Sequence, residues 1–135
     1  MKLLIDTNIV MDILLKREPF FRDSYQAIHK AAQEKDICYL STSAVTDIFY
    51  ILRKSLGSKE EAKKILHRLT ELFIFADVLS SDVLTALSSE LVDFEDAIVE
   101  TIAVRGKMNY ILTRNIKDFD RSKVKAITPG EYLKI

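Results

Sequence analysis

Cross-linking, hinge-forming and membrane-spanning features are nearly missing from this sequence. Of its 135 residues one is cysteine, two are proline and three are glycine. The lone Cys38 stands in an apolar run, Ile37-Cys38-Tyr39-Leu40, with no cysteine to pair with. That excludes a disulfide scaffold and fits a reducing compartment. No repeat, low-complexity tract or Pro/Gly-rich linker divides the chain, so one domain spanning residues 1–135 is expected. An excess of either charge is absent too: 20 Lys and Arg balance 20 Asp and Glu. A general electrostatic nucleic-acid binder carries a basic excess, so any such role here must rest on local patches or a specific site. The apolar opening, Met1-Lys2-Leu3-Leu4-Ile5-Asp6, is far too short for a signal peptide or a membrane span, and no other stretch approaches that length. The expectation is a soluble, cytoplasmic protein. Apolar residues are plentiful, at 48%. One core can close, burying roughly two-thirds of the unfolded surface.

The hydrophobic pattern alternates short apolar runs with helical periods. Leu3-Leu4-Ile5 reads as a buried strand ending in the polar turn Asp6-Thr7-Asn8. A helix follows with Ile9 and Ile13 inward, broken by Glu18-Pro19. Residues 20–33 form an amphipathic helix with Phe21, Tyr25 and Ile28 at helical spacing. Cys38 to Leu40 is a second strand, and Ser41-Thr42-Ser43 caps a helix that stops near Gly57. Further helices are expected over residues 58–72, 80–91 and from Phe94 to near Gly106. Further strands are expected over residues 73–78, 110–112 and 125–127, before a short terminal turn at Thr128-Pro129-Gly130-Glu131. Strands spaced by helices imply a parallel sheet covered on both faces. Ligands of such sheets bind beyond the carboxyl ends of the strands.

Those ends are acidic. Asp6 follows the first strand, Asp47 lies one turn into the helix after the second, and Asp96 lies early in the helix before the fourth. Thr113-Arg114-Asn115 follows the fourth strand, with Asp118 three residues on. Gathered carboxylates repel and desolvate one another unless a cation joins them. Mg²⁺ and Mn²⁺ prefer oxygen ligands and keep several waters, so two to four carboxylates around an open position suit them. Such an ion activates water and stabilises the charge that develops on a phosphodiester. Each acid also has a plainer reading. Asp6 can simply cap the first helix, and Asp47 can be an exposed helix residue. Asp93, Asp96 and Glu100, at i, i+3 and i+7, can be a solvated face opposite Phe94, Ile98 and Ile102. Asp12, Glu100 and Asp118 are expected at the surface, as are His29 and His67. The grouping favours a site for Asp6, Asp47 and Asp96.

The opening Leu-Leu-Ile-Asp-Thr-Asn-Ile-Val-Met-Asp resembles the first motif of PIN-domain nucleases, in particular VapC-like toxins. Ser41-Thr42-Ser43-Ala44-Val45-Thr46-Asp47 resembles the second, where the acid is commonly Glu. Asp93-Phe94-Glu95-Asp96-Ala97 resembles the third, and Thr113-Arg114-Asn115-Ile116-Lys117-Asp118-Phe119 the fourth. Many members carry Asp where Asn115 stands, so either Asn115 or Asp118 is the fourth site residue. The resemblance covers the whole chain. It implies a three-layer α/β/α fold around a mostly parallel five-stranded sheet. It also implies Mg²⁺- or Mn²⁺-dependent RNA cleavage, a homodimer, and inhibition by a small antitoxin with a basic segment. In this reading Asp6, Asp47 and Asp96 hold metal, Asn115 completes the catalytic set, and Asn8, Thr113 and Arg114 position ligands or phosphate. The alternative is a catalytically silent PIN domain that binds RNA or protein. A haloacid-dehalogenase-like phosphatase wants a second Asp where Asn8 stands, and a receiver domain wants an Asp after the third strand, where Leu79-Ser80-Ser81 follows instead.

Overall fold

A computed structural model describes all 135 residues. Five strands form one sheet: β1 (Lys2–Ile5), β2 (Ile37–Ser41), β3 (Ile74–Ala76), β4 (Tyr110–Leu112) and β5 (Ala126–Ile127). Their spatial order is β3-β2-β1-β4-β5, and every neighbouring pair is parallel. The expectation of a mostly parallel sheet is thus met by a wholly parallel one. Seven helices accompany it: α1 (Thr7–Leu14), α2 (Phe21–Gln33), α3 (Val45–Leu56), α4 (Lys59–Leu72), α5 (Ser80–Ala86), α6 (Phe94–Arg105) and α7 (Pro129–Leu133).

The pleat of the central strands sorts the side chains into two cores. Leu3 and Ile5 of β1, Cys38 and Leu40 of β2 and Leu112 of β4 face one way, onto α1, α2, α3, α4 and α7. Leu4 and Ile111 face the other way, onto α5 and α6. The result is three layers, and β1 at the centre is buried from both sides. No helix is long and apolar enough to cross a membrane.

Several boundaries differ from the sequence expectation, each for a local reason. Helix α1 stops at Leu14, well before Pro19, because Lys16 takes a left-handed φ of 49° and the Arg17 amide turns back to the Asp12 carbonyl at 3.0 Å. Helix α5 ends at Ala86 instead of residue 91. The Ser88 and Ser89 amides tighten to acceptors three residues back, and the Ser89 hydroxyl takes the Leu91 amide at 3.1 Å, the local competition serine offers. The inward face of α2 is Ser24, Ala27 and Ala31, not Tyr25, which is exposed and stacks between Phe21 and His29. Small residues suit a helix that must approach its neighbours closely. The terminal turn is a short helix, closed by a reciprocal cap between Thr128 and Glu131.

Candidate active site

Moving outward from β1, the chain runs through β2 and β3 on one side and through β4 and β5 on the other. The reversal lies between β1 and β4, the place where sheets of this kind leave a crevice at their carboxyl ends. Ladder hydrogen bonds carry the pairing one residue past the strand ends: the Asp6 amide donates to the Leu112 carbonyl at 2.9 Å and the Thr113 amide to the Ile127 carbonyl at 3.0 Å. Asp6 and Thr113 therefore face each other across the reversal, and the Thr113 hydroxyl donates to Asp6 Oδ2 at 2.7 Å. That hydroxyl in turn accepts the Asn115 amide at 3.1 Å.

Asp6 does occupy the N-cap position of α1, but its carboxylate makes no capping hydrogen bond. It turns towards Thr113 and the crevice instead. Asp47 arrives through a different device. The Ser41 hydroxyl accepts the Ser43 amide at 3.2 Å, holding a 3-10 turn over Thr42–Ala44 that leads into α3, with Asp47 in its first turn. Asp93 caps α6 by accepting the Asp96 amide at 3.0 Å, which places Glu95 and Asp96 in the first turn. Acids are favourable at each of these helix starts. What the individual helices do not explain is that three such starts meet at one place.

They meet in a cleft of about 540 Å³ lined by Asp6, Thr7, Asn8, Asp47, Tyr50, Ile51, Asp93, Glu95, Asp96, Asn115 and Asp118. Six of these residues are carboxylic acids and none is Lys, Arg or His. The field is mutual. Burial, then Asp93, Asp6, Asp118 and Glu95, push the Asp96 carboxyl up to about 7. Burial raises Asp6 as well, opposed by the Thr113 hydrogen bond, the neighbouring Thr7 and Asn8 amides and the charge of Arg114. Glu95 is raised by burial and by Asp47, Asp93 and Asp6. Asp47 itself is exposed on the rim.

The acids thus brought together include Asp6, Asp47 and Asp96, with Asn8 and Asn115 beside them. Asn115 and Asp118 both line the cleft, so the fold admits the two candidates for the fourth position. Thr113 lies behind the wall, fully buried, and acts on Asp6. Arg114 does not line the cleft. Its Nε and Nη2 donate to Asp12 at 2.8 and 3.2 Å, and its guanidinium stacks 4.1 Å from the Phe20 ring centroid. Asp12 is accordingly wholly buried, contrary to the surface position expected, because Arg114 closes over it and Arg17 stands 4.0 Å away.

Glu100 is also buried, although a surface position was expected. It faces away from the cleft, accepting from the Ser89 hydroxyl at 2.7 Å and the Lys123 amide at 2.8 Å. Helix α6 is covered on nearly all sides from Ala97 to Ala103, while Phe94 is exposed, so the two-faced helix expected there is not formed. Sequence reasoning left Thr7, Tyr50, Ile51, Asp93 and Glu95 out of the site. Glu95 carried a signal, its place beside Asp96 at a helix start; Tyr50 and Ile51 had only their distance of about one turn from Asp47.

The donor set is all oxygen and strongly acidic, which suits a hard divalent cation. No three His, Cys, Asp or Glu side chains converge tightly enough to form a ready-made ligand cage.

The fold and the cleft define an α/β protein with an acidic site at the topological reversal of a parallel sheet. A family model described as the PIN domain matches residues 2–117, and the chain belongs to the PIN-domain family. Among solved structures it is similar to VapBC2 from Rickettsia felis bound to a DNA fragment from their promoter, with a TM-score of 0.73 and 17% identity over 95% of this chain and 98% of that one. It is similar to VapBC-1 from nontypeable Haemophilus influenzae, with a TM-score of 0.70 and 17% identity over 96% and 99%. It is also similar to VapC20 of Mycobacterium tuberculosis, described as a Sarcin-Ricin loop cleaving toxin, with a TM-score of 0.62 and 11% identity over 81% and 86%. At these identities the likeness establishes the fold, which is the VapC-like one. No relative of significant sequence similarity is found among curated proteins.

Proposed function

We propose that this chain is a Mg²⁺- or Mn²⁺-dependent endoribonuclease and the toxin of a toxin–antitoxin pair. One observation carries the reading: six carboxylic acids and no basic side chain line the cleft at the sheet reversal. A phosphodiester entering such a cleft is repelled by every ionised group unless a divalent cation is shared between them. Asp6, Asp47 and Asp96 are the residues assigned to hold that cation. When bound, it supplies charge neutralisation and activation of water at the scissile phosphate.

The chain's own groups do the rest. Thr113 fixes the orientation of Asp6 through its hydroxyl. Asn8 and Asn115 offer uncharged donors in the cleft, able to position a phosphate oxygen without adding repulsion. Asp118 and Glu95 add to the field that draws a cation in. Family membership and the toxin–antitoxin neighbours support the nuclease reading, and the VapC20 toxin supports RNA as its substrate. The same neighbours support a small antitoxin, for which an acidic cleft is complementary to a basic segment. Exposed Val83 and Leu84 on α5, with Leu87 just past its end, support self-association as a homodimer.

The test is cleavage of a generic RNA with Mg²⁺, Mn²⁺ or chelator by the wild type and by Asp6→Asn, Asp47→Asn and Asp96→Asn. Metal-dependent cleavage is expected in the wild type alone, with all three variants folded. RNA binding without cleavage in any metal would instead identify a silent binding module.

A further inference from the structure

A second pocket, also of about 540 Å³, adjoins the acidic cleft and shares Tyr50 with it. Its lining is of the opposite sign: Arg53, Lys54 and Lys59 with Gly57, Ser58 and Tyr50, and no acid. None of the three cations takes part in an ion pair. Asp47, Tyr50 and Lys54 stand at i, i+3 and i+7 on α3 and so share one face. Along roughly 10 Å of helix axis that face changes from anionic to cationic, with Tyr50, a residue 65% exposed, at the boundary.

Helix electrostatics accounts for part of this pattern only. Arg53 and Lys54 lie in the last turn of α3, where positive charge is favourable. Lys59 opens α4, where positive charge is unfavourable. Gly57, in a left-handed φ of 66°, makes the tight turn that brings the two helix ends together. Nor does helix stability require an exposed tyrosine between the two charge fields. With a formal net charge of zero, the chain has no general attraction for a polyanion, so a local cationic surface beside the cleft is where such attraction can arise.

We propose that this pocket is a subsite for the backbone of single-stranded RNA leaving the acidic cleft. Arg53, Lys54 and Lys59 bind phosphates flanking the scissile one, and Tyr50 stacks a base at the junction. Cationic grooves combined with aromatic platforms are how single strands are held without sequence readout. The inference rests on reading the acidic cleft as a ribonuclease site, and it assigns the neighbouring phosphates to the protein's own cations.

The experiment compares the wild type with the Arg53→Gln/Lys54→Gln/Lys59→Gln variant, using a fluorescein-labelled single-stranded RNA across a KCl series. Cleavage gives KM and kcat; anisotropy in an Asp96→Asn background gives Kd without turnover. The triple variant should raise KM and Kd at least tenfold at low salt, with the larger effect on KM than on kcat. The slope of log Kd against log salt should shrink by about two, at roughly 0.7 for each phosphate no longer neutralised. Tyr50→Leu should raise Kd severalfold with the slope retained, because stacking is uncharged. Lys59→Glu should weaken RNA binding while leaving the melting temperature unchanged or higher, since an acid is favourable there.

A control, Lys2→Gln/Lys35→Gln/Lys107→Gln, removes the same charge at the amino ends of the three inner strands, the end of the sheet opposite the acidic cleft. It should leave KM and the salt slope unchanged. Equal losses in the control, or wild-type KM and slope in the triple variant with cleavage intact, overturn the subsite alone. A wild-type chain that neither binds nor cleaves RNA overturns the subsite and the ribonuclease reading together. Unchanged RNA affinity with lost affinity for poly-glutamate reassigns the pocket to an acidic protein partner and overturns the proposal.

Discussion

The Thr113 hydroxyl donates to Asp6 Oδ2 at 2.7 Å across 107 positions of sequence. It joins the ends of the two central strands at the point where the sheet reverses. Because the same hydroxyl accepts the Asn115 amide, a single buried oxygen orients two residues of the cleft. Thr113→Val keeps the shape and removes both bonds. Stability should fall by about 1–3 kcal/mol, the cost of a buried donor left unpaired, and RNA cleavage should fall at least tenfold. Thr113→Ser should restore most of both. Full cleavage by the valine variant would show that Asp6 needs no such support.

Arg114 and Asp12 form a second buried linkage, from the loop after β4 to α1. Arg114→Ala leaves a wholly buried carboxylate with only Arg17 at 4.0 Å. Urea denaturation should show a loss of about 3 kcal/mol, the range seen when one partner of a buried pair is removed. Asp12→Leu/Arg114→Met should recover much of it, because no charge is then stranded. A loss in the double variant as large as in Arg114→Ala would point to packing rather than charge.

The cleft also sets a pH dependence. The folded-state pKa of Asp96 is raised from 3.8 to about 7, so between those values the folded chain holds a proton that the unfolded chain has released. Stability from this group therefore falls as pH rises through that window. Asp6 and Glu95, also raised, act in the same direction. Asp82 is held below its ordinary value by Arg105, and at Asp36 the N-terminal ammonium and Tyr132 outweigh burial. Both lose stabilisation in more acidic solution, as pH falls below about 4. Metal-free protein should melt higher at pH 5 than at pH 7.5. Mg²⁺ should raise the melting temperature more at pH 7.5 than at pH 5, through linkage to the ionised cleft. Asp96→Asn should flatten both trends. A metal-free melting temperature that rises from pH 5 to 7.5 would contradict the field described.

Asn115 and Asp118 can be separated by metal titration. Asn115→Asp adds a carboxylate beside the end of β4 and should tighten Mg²⁺ binding severalfold. Asp118→Asn removes an exposed acid in the 3-10 turn over Ile116–Phe119 that follows Asn115 and should weaken binding by less than the change at Asn115 gains. A large loss in Asp118→Asn with no gain in Asn115→Asp would assign the fourth role to Asp118.

Much of the architecture was legible because period and punctuation are local. Leu3-Leu4-Ile5, Ser41-Thr42-Ser43 and Gly57 marked strand, cap and stop where the structure has them. The failures fall where a third element intervenes. Tyr25 has helical spacing yet is exposed, since α2 packs through Ala27 and Ala31. Asp12 and Glu100 looked like surface acids, but each is buried beneath partners from distant segments: Arg114 for one, Ser89 and the Lys123 amide for the other.

By itself the sequence determined the order of strands and helices, the placing of Asp6, Asp47 and Asp96 near strand ends and helix starts, and the family that those motifs mark. These depend on spacing and on short-range backbone chemistry, which a linear chain displays. Only the tertiary structure decided that Asp93, Glu95 and Asp118 share the cleft with them, that Arg114 turns to Asp12, and that a cationic pocket opens beyond Tyr50. Which charges face each other depends on the strand order and on helix packing. Residues far apart in the chain then share one field, and no local pattern records it.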